Sequence, residues 1–405
     1  MDEIDIPYHF LCPISMELMR DPVTISTGIT YDRENIERWL FSCKNNNTTT
    51  CPATKQVLSS KEVTPNHTLR RLIQAWCTLN ASHGIERIPT PKPPVDKSQI
   101  VKLLNKAKEF PNMQLNCLRR LRSIAFENES NKRCLEAVGG VVEFLAASIM
   151  DEDGNNIEIA VEILSTLKIS ETHLGNLINN HDGGEFVEAL MQVLRDGNYQ
   201  SRASTTMLLK SMFEVADPNQ MITIKREFFR EIVCVLQDQI SHQASKAALK
   251  LLVELCPWGR NRVKAVEGGA VPVLIELLID TSEKRVCELL LVVLDQLCGC
   301  AEGRAELWKH PAGLAVLSKK ILRVSHMATD RAVRILSSVC RFSATSRVLQ
   351  EMLQVGVVSK LCLVLQVESS LKTKERARWI LKLHSRVWKN SSCIPAHLLS
   401  SYPSS

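Results

Sequence analysis

The sequence predicts a mainly α-helical chain in which a small α+β module precedes an α-solenoid of stacked repeats. Three observations carry this prediction. Two Cys-Pro segments, at Cys12 and Cys51, frame a hairpin-and-helix pattern near the start. Four prolines fall between Glu86 and Lys97, which denies helix there and favours an extended spacer. Beyond it, glycine breaks at Gly140, Gly184, Gly269, Gly313 and Gly356 are separated by 44, 85, 44 and 43 residues.

The first module reads element by element. "DPVTISTGITYD" is strand, turn at Thr27-Gly28, strand. "DRENIERWLFS" is an amphipathic helix with Asp32 as its cap and Ile36, Trp39 and Leu40 on one face. "TPNHTLRRLIQAWCTLN" is a second helix with Leu69, Leu72, Ile73 and Trp76 turned inward.

The repeats follow. "NKRCLEAVGGVVEFL" and "NRVKAVEGGAVPVLIELL" share Asn, Ala-Val, Gly-Gly and an apolar helix start. The interval of 85 holds one degenerate copy, near "KREFFREIVCVLQ" at 225–237. Interleaved segments such as "ASKAALKLLVEL" and "DRAVRILSSVC" are apolar at i, i+3, i+4 and i+7, the mark of a helix with one buried face. A period near 43 lies within the roughly 40–47 residues of armadillo and HEAT repeats, and the Gly-Gly turn favours armadillo. One unit cannot bury its own face, so six or seven stack, in a right-handed superhelix. The predicted boundaries are 5–80 for the first module, 81–97 for the linker, 98–390 for the repeats and 391–405 for a tail.

Composition narrows the function. Charged residues make up 23% and the net charge is +6, too mild for a nucleic-acid stripe. Residues 1–80 carry 8 basic and 9 acidic side chains. The start is acidic and no apolar run reaches about 18 residues, so neither a signal peptide nor a membrane span is expected. The 14 cysteines sit mostly alone in apolar stretches, as small hydrophobes in a reducing compartment, cytoplasm or nucleus.

The Cys-Pro loops pose a chemical question. Structural zinc needs four ligands at spacings such as C-x₂-C. Here Ser15 and Thr54 stand where second thiolates would be, so no metal and no other cofactor is expected. Polar pairs must then hold the loops. Ser15, Glu17, Arg20, Asp21, Arg33 and Glu34 are the candidates, while Cys12 and Cys51 are expected as inert core thiols rather than nucleophiles.

The motifs F-x-C-P-I-S-x-E-x-M-x-D-P-V, T-G-x-T-Y-D-R, I-x-x-W-L, C-P and T-P-N-x-x-L resemble the U-box, a zinc-free RING relative held by hydrogen bonds and salt bridges. With the armadillo tract behind it, the chain is similar to plant U-box/armadillo E3 ubiquitin ligases of the short class. The resemblance implies docking of a ubiquitin-charged E2 enzyme at Ile14, Trp39 and Pro52. Lys55 stands where many relatives carry a bridging Arg. It implies no catalytic nucleophile on this chain, a protein substrate on the armadillo groove, and a role in plant defence and stress signalling. It leaves open whether two U-boxes pair. The tract lacks the regular Trp and Asn ladders that grip basic peptides. The competing reading is a non-enzymatic armadillo scaffold whose first module only binds a partner.

Overall fold

The computed structural model describes residues 6–42, 50–60, 62–81, 85–86, 88, 95–151, 156–179, 184–388, 394 and 402. Most of the proline-rich stretch and of the tail lies outside the described residues. One compact unit takes in Met1–Val101 and Ser123–Ala137, the other Lys102–Arg122 and Val138–Ser405.

In the first unit, β1 (Pro22–Thr24) and β2 (Thr30–Asp32) pair antiparallel with Val23 opposite Tyr31. The turn between them has Gly28 N–H donating to the Ile25 carbonyl, with Gly28 at φ 81°. The Ile25 amide donates to the Ile29 carbonyl at 3.1 Å, which leaves a three-residue loop ending in a left-handed glycine, suited to the twist of a hairpin. α1 (Arg33–Ser42) follows at once and buries Ile36 and Leu40. The sequence reading missed β3 (Thr64–Pro65), which pairs with β1 on the side away from β2. α2 (His67–Leu79) starts at Asn66, whose side chain accepts from the Leu69 amide at 3.0 Å. Its inward face is Ile73 and Cys77, with Leu69 and Trp76 half-buried. Leu72, expected inward, is 53% exposed. It lies a helical step of about 100° from Ile73, just off the buried stripe.

Two linker residues return to this core. Ile85 and Ile88 pack against it, and Gln74 donates to the Ile88 carbonyl at 3.2 Å. α3 (Lys97–Glu109) and α4 (Gln114–Glu127) come next, then α5 (Glu129–Glu136). Val95 is pinned to α5: its amide donates to Asn131 Oδ1 at 3.2 Å and its carbonyl accepts from Cys134 at 3.3 Å. These bonds place α5 with the first unit.

The remaining helices run in order as α6 (Val141–Ile149), α7 (Ile157–Thr166), α8 (Glu171–Asn179), α9 (Glu185–Asp196), α10 (Tyr199–Phe213), α11 (Pro218–Thr223) and α12 (Arg226–Gln237). They continue as α13 (His242–Leu255), α14 (Asn261–Glu267), α15 (Ala270–Asp280), α16 (Lys284–Leu297), α17 (Ala301–Lys309), α18 (Gly313–Lys320) and α19 (His326–Phe342). The last are α20 (Ser346–Gln354), α21 (Val357–Gln366), α22 (Leu371–Leu383) and α23 (Ser385–Trp388). From α8 they recur as triplets: a first helix, then a second, then a longer third. The second helices α6, α9, α12, α15, α18 and α21 stack each on the next, and so do the third helices α7, α10, α13, α16, α19 and α22.

The glycine breaks are not all alike. Gly269 enters α15 at φ 86°, a left-handed conformation that side chains resist. Gly313 is instead inside α18, and a Cβ there would stand 1.9 Å from the Leu307 carbonyl oxygen. That glycine serves close approach of two backbones. Where "KREFFREIVCVLQ" starts α12 there is no glycine, and Lys225 caps it in an extended conformation.

Acid–base pairs lace the third-helix stack. Arg122 reaches Glu162 at 2.7 Å, Arg331 and Arg334 reach Asp295 at 2.9 and 3.0 Å, and Arg376 reaches Asp330 at 2.8 Å. Burial pushes the Asp295 carboxyl up, and the two arginines oppose that rise. Among the described residues no single helix is long and apolar enough to cross a membrane.

Candidate functional site

The two Cys-Pro loops are the same backbone built twice. In the first, the Cys12 amide donates to the Glu17 carbonyl at 2.8 Å and the Met16 amide to the Cys12 carbonyl at 2.8 Å. In the second, the Cys51 amide donates to the Gln56 carbonyl at 2.8 Å and the Lys55 amide to the Cys51 carbonyl at 2.9 Å. A bridge closes each, Leu11 with Leu18 and Thr50 with Val57. Met16 and Lys55 occupy the matching left-handed position, at φ 58° and 60°.

Each loop folds around its sulfur. Cys12 Sγ accepts from the Asp32 amide at 3.3 Å and from Asn35 Nδ2 at 3.6 Å. Asn35 Nδ2 also donates to Ser15 Oγ at 3.1 Å, so one amide group bridges the pair of positions where metal ligands would sit. Cys51 Sγ is met by Tyr31 OH at 3.0 Å, the Thr54 amide at 3.4 Å and Thr27 Oγ1 at 3.5 Å. Tyr31 OH in turn accepts from the Ala53 amide at 3.1 Å. Burial pushes the Cys51 thiol up. The hydrogen bonds from Thr54, Tyr31 and Thr27 outweigh burial and bring it down from 9.0 to about 6. Both cysteines are fully buried.

Ion pairs fasten the loops to the sheet and helices. Arg33 Nε lies 2.6 Å from Asp21 Oδ2 and its Nη1 lies 3.6 Å from Glu37. Arg70 from α2 reaches the other Asp21 oxygen at 3.7 Å. Asp32 precedes α1, and its Oδ1 accepts from the Arg20 and Asp21 amides, both at 2.8 Å. Burial raises the Asp32 carboxyl, and those two amides oppose the rise. Glu17 is exposed and joins the loop through its carbonyl rather than its carboxylate. Glu34 pairs with Arg38 on the solvent side of α1.

The two loops and α1 each carry a partly exposed apolar side chain. Ile14, 36% exposed, sits at the tip of the first loop. Pro52 is half-buried at the matching place in the second. Trp39 is half-buried on α1, and its indole Nε1 donates to the Thr50 carbonyl at 2.9 Å, which ties the helix to the second loop. Lys55 Nζ lies 5.6 Å from the centre of the Trp39 ring. A cation over an indole face is attracted to it and holds both side chains in place. The sequence reading had not singled out Asn35 or Tyr31 as donors. Their only signal was position: both fall in the "TYDREN" segment between the loops.

Twin RING-like loops closed on hydrogen-bonded sulfurs, followed by stacked three-helix repeats, define the class: a U-box ubiquitin ligase with an armadillo tract. Comparison with known proteins agrees. The U-box domain model matches residues 6–82, and the plant U-box protein ARM repeat region matches residues 99–404. The chain therefore belongs to the plant U-box/armadillo E3 ubiquitin-protein ligase family. It is 56% identical to E3 ubiquitin-protein ligase PUB23 of Arabidopsis thaliana, covering 99% of this chain and 98% of that one. It is 53% identical to PUB22 of the same plant, over 99% of both. At 16% identity, a solved chain from "A conserved phosphorylation switch controls the interaction between cadherin and beta-catenin in vitro and in vivo" aligns over 78% of this chain and 58% of its own, with a TM-score of 0.58. That likeness shows the armadillo fold.

Proposed function

We propose that the ubiquitin-charged E2 docks on Ile14, Trp39 and Pro52, with Lys55 alongside, while the third-helix surface of the repeats receives the protein substrate. The reaction of this ligase class is aminolysis: a substrate lysine attacks the E2-held thioester, and no nucleophile comes from this chain. Catalysis is then a matter of holding the thioester ready for attack. The observation that carries the reading is Trp39, bonded to the second loop and approached by the Lys55 ammonium, with Ile14 and Pro52 at matching places in the two loops. An apolar anchor on a rigid frame is what interface hot spots require. Exposed Leu72 and Leu79 on α2 support the further proposal that two U-boxes pair. A defence and stress role, in cytoplasm and nucleus, belongs to the same proposal and rests on family likeness.

The test mixes the chain with E1, E2, ubiquitin and ATP and reads self-ubiquitination ladders. Trp39→Ala and Ile14→Ala should each remove a hot spot of about 2 kcal/mol, slowing ladder formation roughly thirtyfold. Circular dichroism should stay unchanged. Ladders at the wild-type rate would refute the E2 placement. No ladders from the wild type with any E2 would favour the scaffold.

A further inference from the structure

The turns from each third helix to the next first helix form a rim of the repeat unit, and one stretch of that rim has an unusual composition. Arg260, Arg304 and Arg347 recur there at intervals of 44 and 43 residues, the period of the repeats. Arg262 and Arg341 join them. Arg260, Arg341 and Arg347 are exposed. Aromatic rings are set among these groups. Phe342, 62% exposed, lies under two guanidiniums, Arg304 at 4.9 Å and Arg341 at 5.2 Å. Arg347 stands over Trp308 at 5.5 Å.

The patch is continuous and pre-set. Arg304 is buried and anchored, donating to the Cys298 carbonyl at 3.1 Å and Ser343 Oγ at 3.2 Å. The Arg262 guanidinium packs so closely over the neighbouring turn that a Cβ on Gly299 would stand 3.0 Å from its Nη1. Its Nε is buried and has no acceptor among the described residues. No ion pair among the described residues engages Arg260, Arg262, Arg341 or Arg347. The rim also carries acids: Glu302 is held below its ordinary value first by a backbone hydrogen bond and Cys300, with Arg304 and Arg260 acting only as more distant charges, and Glu306 is taken by Lys309 at 2.7 Å.

The exposed Phe342 ring steadies both guanidiniums: Arg304 is anchored from behind, while the exposed Arg341 and Arg347 forks make no ion pair among the described residues. That geometry suits bidentate carboxylates and is costly for cations. Neighbouring helices stand about 8–10 Å apart, so three successive turns span about 20 Å. An extended chain rising about 3.3 Å per residue covers that in about six residues.

We infer that this rim, from Arg260 to Arg347, is a docking site for an extended acidic segment of a partner protein, rich in Asp and Glu, with an apolar side chain seated on Phe342. It lies at the C-terminal ends of the third helices, where Arg341 and Phe342 close α19, and names a partner chemistry for the repeats, so it rests on their reading as the recruiting part.

The test uses the full chain and a fluorescein-labelled peptide of about ten residues, mostly Asp and Glu with one Leu, read by fluorescence anisotropy. A charge-reversed Lys/Arg peptide is the control. The acidic peptide should bind and the basic one should not. The double variant Arg341→Glu, Arg347→Glu should weaken binding at least about tenfold. Lys372→Glu, in the first turn of α22 at the far end of a third helix, should leave it within about twofold. Absent binding, an unchanged double variant, or an equal loss in Lys372→Glu would overturn the inference. So would sedimentation with phosphatidylserine vesicles that the double variant loses while its peptide binding persists. Ladder formation is read in parallel. A chain that makes ladders but ignores the peptide refutes the rim alone, and one that binds the peptide without ladders refutes the ligase reading alone.

Discussion

Cys51 shows how much one side chain can organise. Its sulfur gathers donors from residues 27, 31 and 54, and its lowered pKa of about 6 ties the fold to pH. The sign follows from linkage. The folded thiol releases its proton near 6 and the unfolded one near 9.0, so between those values the unfolded chain holds more protons. Stability from this group is complete above about 9 and is lost as pH falls through about 6. Urea unfolding of the first unit at several pH values between 5 and 9 should show this rise, and Cys51→Ala should flatten it. The Asp21–Arg33 pair is half-shielded, at 20% and 27% side-chain exposure. Asp21→Ala would leave Arg33 and Arg70 without their shared acid and should cost about 1–2 kcal/mol, seen as a lower denaturation midpoint. Asp21 and Arg33 stand among the candidates that residue types suggest for polar pairs, whereas the donors to the two sulfurs could not be read in advance. Asn35 and Tyr31 reach sulfurs 23 and 20 positions away, and nothing local in the sequence fixes which thiol each will meet.

At the scale of elements, local rules carried further. The hairpin, α1, α2 and the third-helix series were legible because each has strong periodicity, a glycine turn or a cap. β3 was not, since two residues give no alternation and Thr64-Pro65 reads equally well as a helix start. Leu72 was misplaced because a helix face seen in sequence is wider than the strip a neighbour covers. The return of Ile85 and Ile88 was hidden by the prolines around them. Glycines also divide by element. Gly313→Ala should destabilise the repeat unit by about 1–3 kcal/mol, because its Cβ would meet the Leu307 carbonyl. Gly139→Ala, where nothing lies within 4 Å, should change stability by less than about 0.5 kcal/mol. Thermal unfolding of both variants separates the two cases.

For the whole molecule, a short rigid head and a long repeat tract answer different demands. The head needs one fixed geometry to hold a common carrier. The repeats need length, which stacking supplies by adding units along the two helix ladders. A zinc-selective chelator should leave both the ladder rate and the unfolding midpoint unchanged, since hydrogen bonds occupy the positions of the missing ligands. A fall in either would expose a hidden metal.

The twin loops are alike in backbone but not in how their sulfurs are secured. One jaw secures its sulfur with a peptide amide and a side-chain amide. The other closes on a titrating thiol ringed by rotatable hydroxyls. Mild acidification therefore acts on the hydrogen bonds that hold the jaw bearing Pro52 and Lys55.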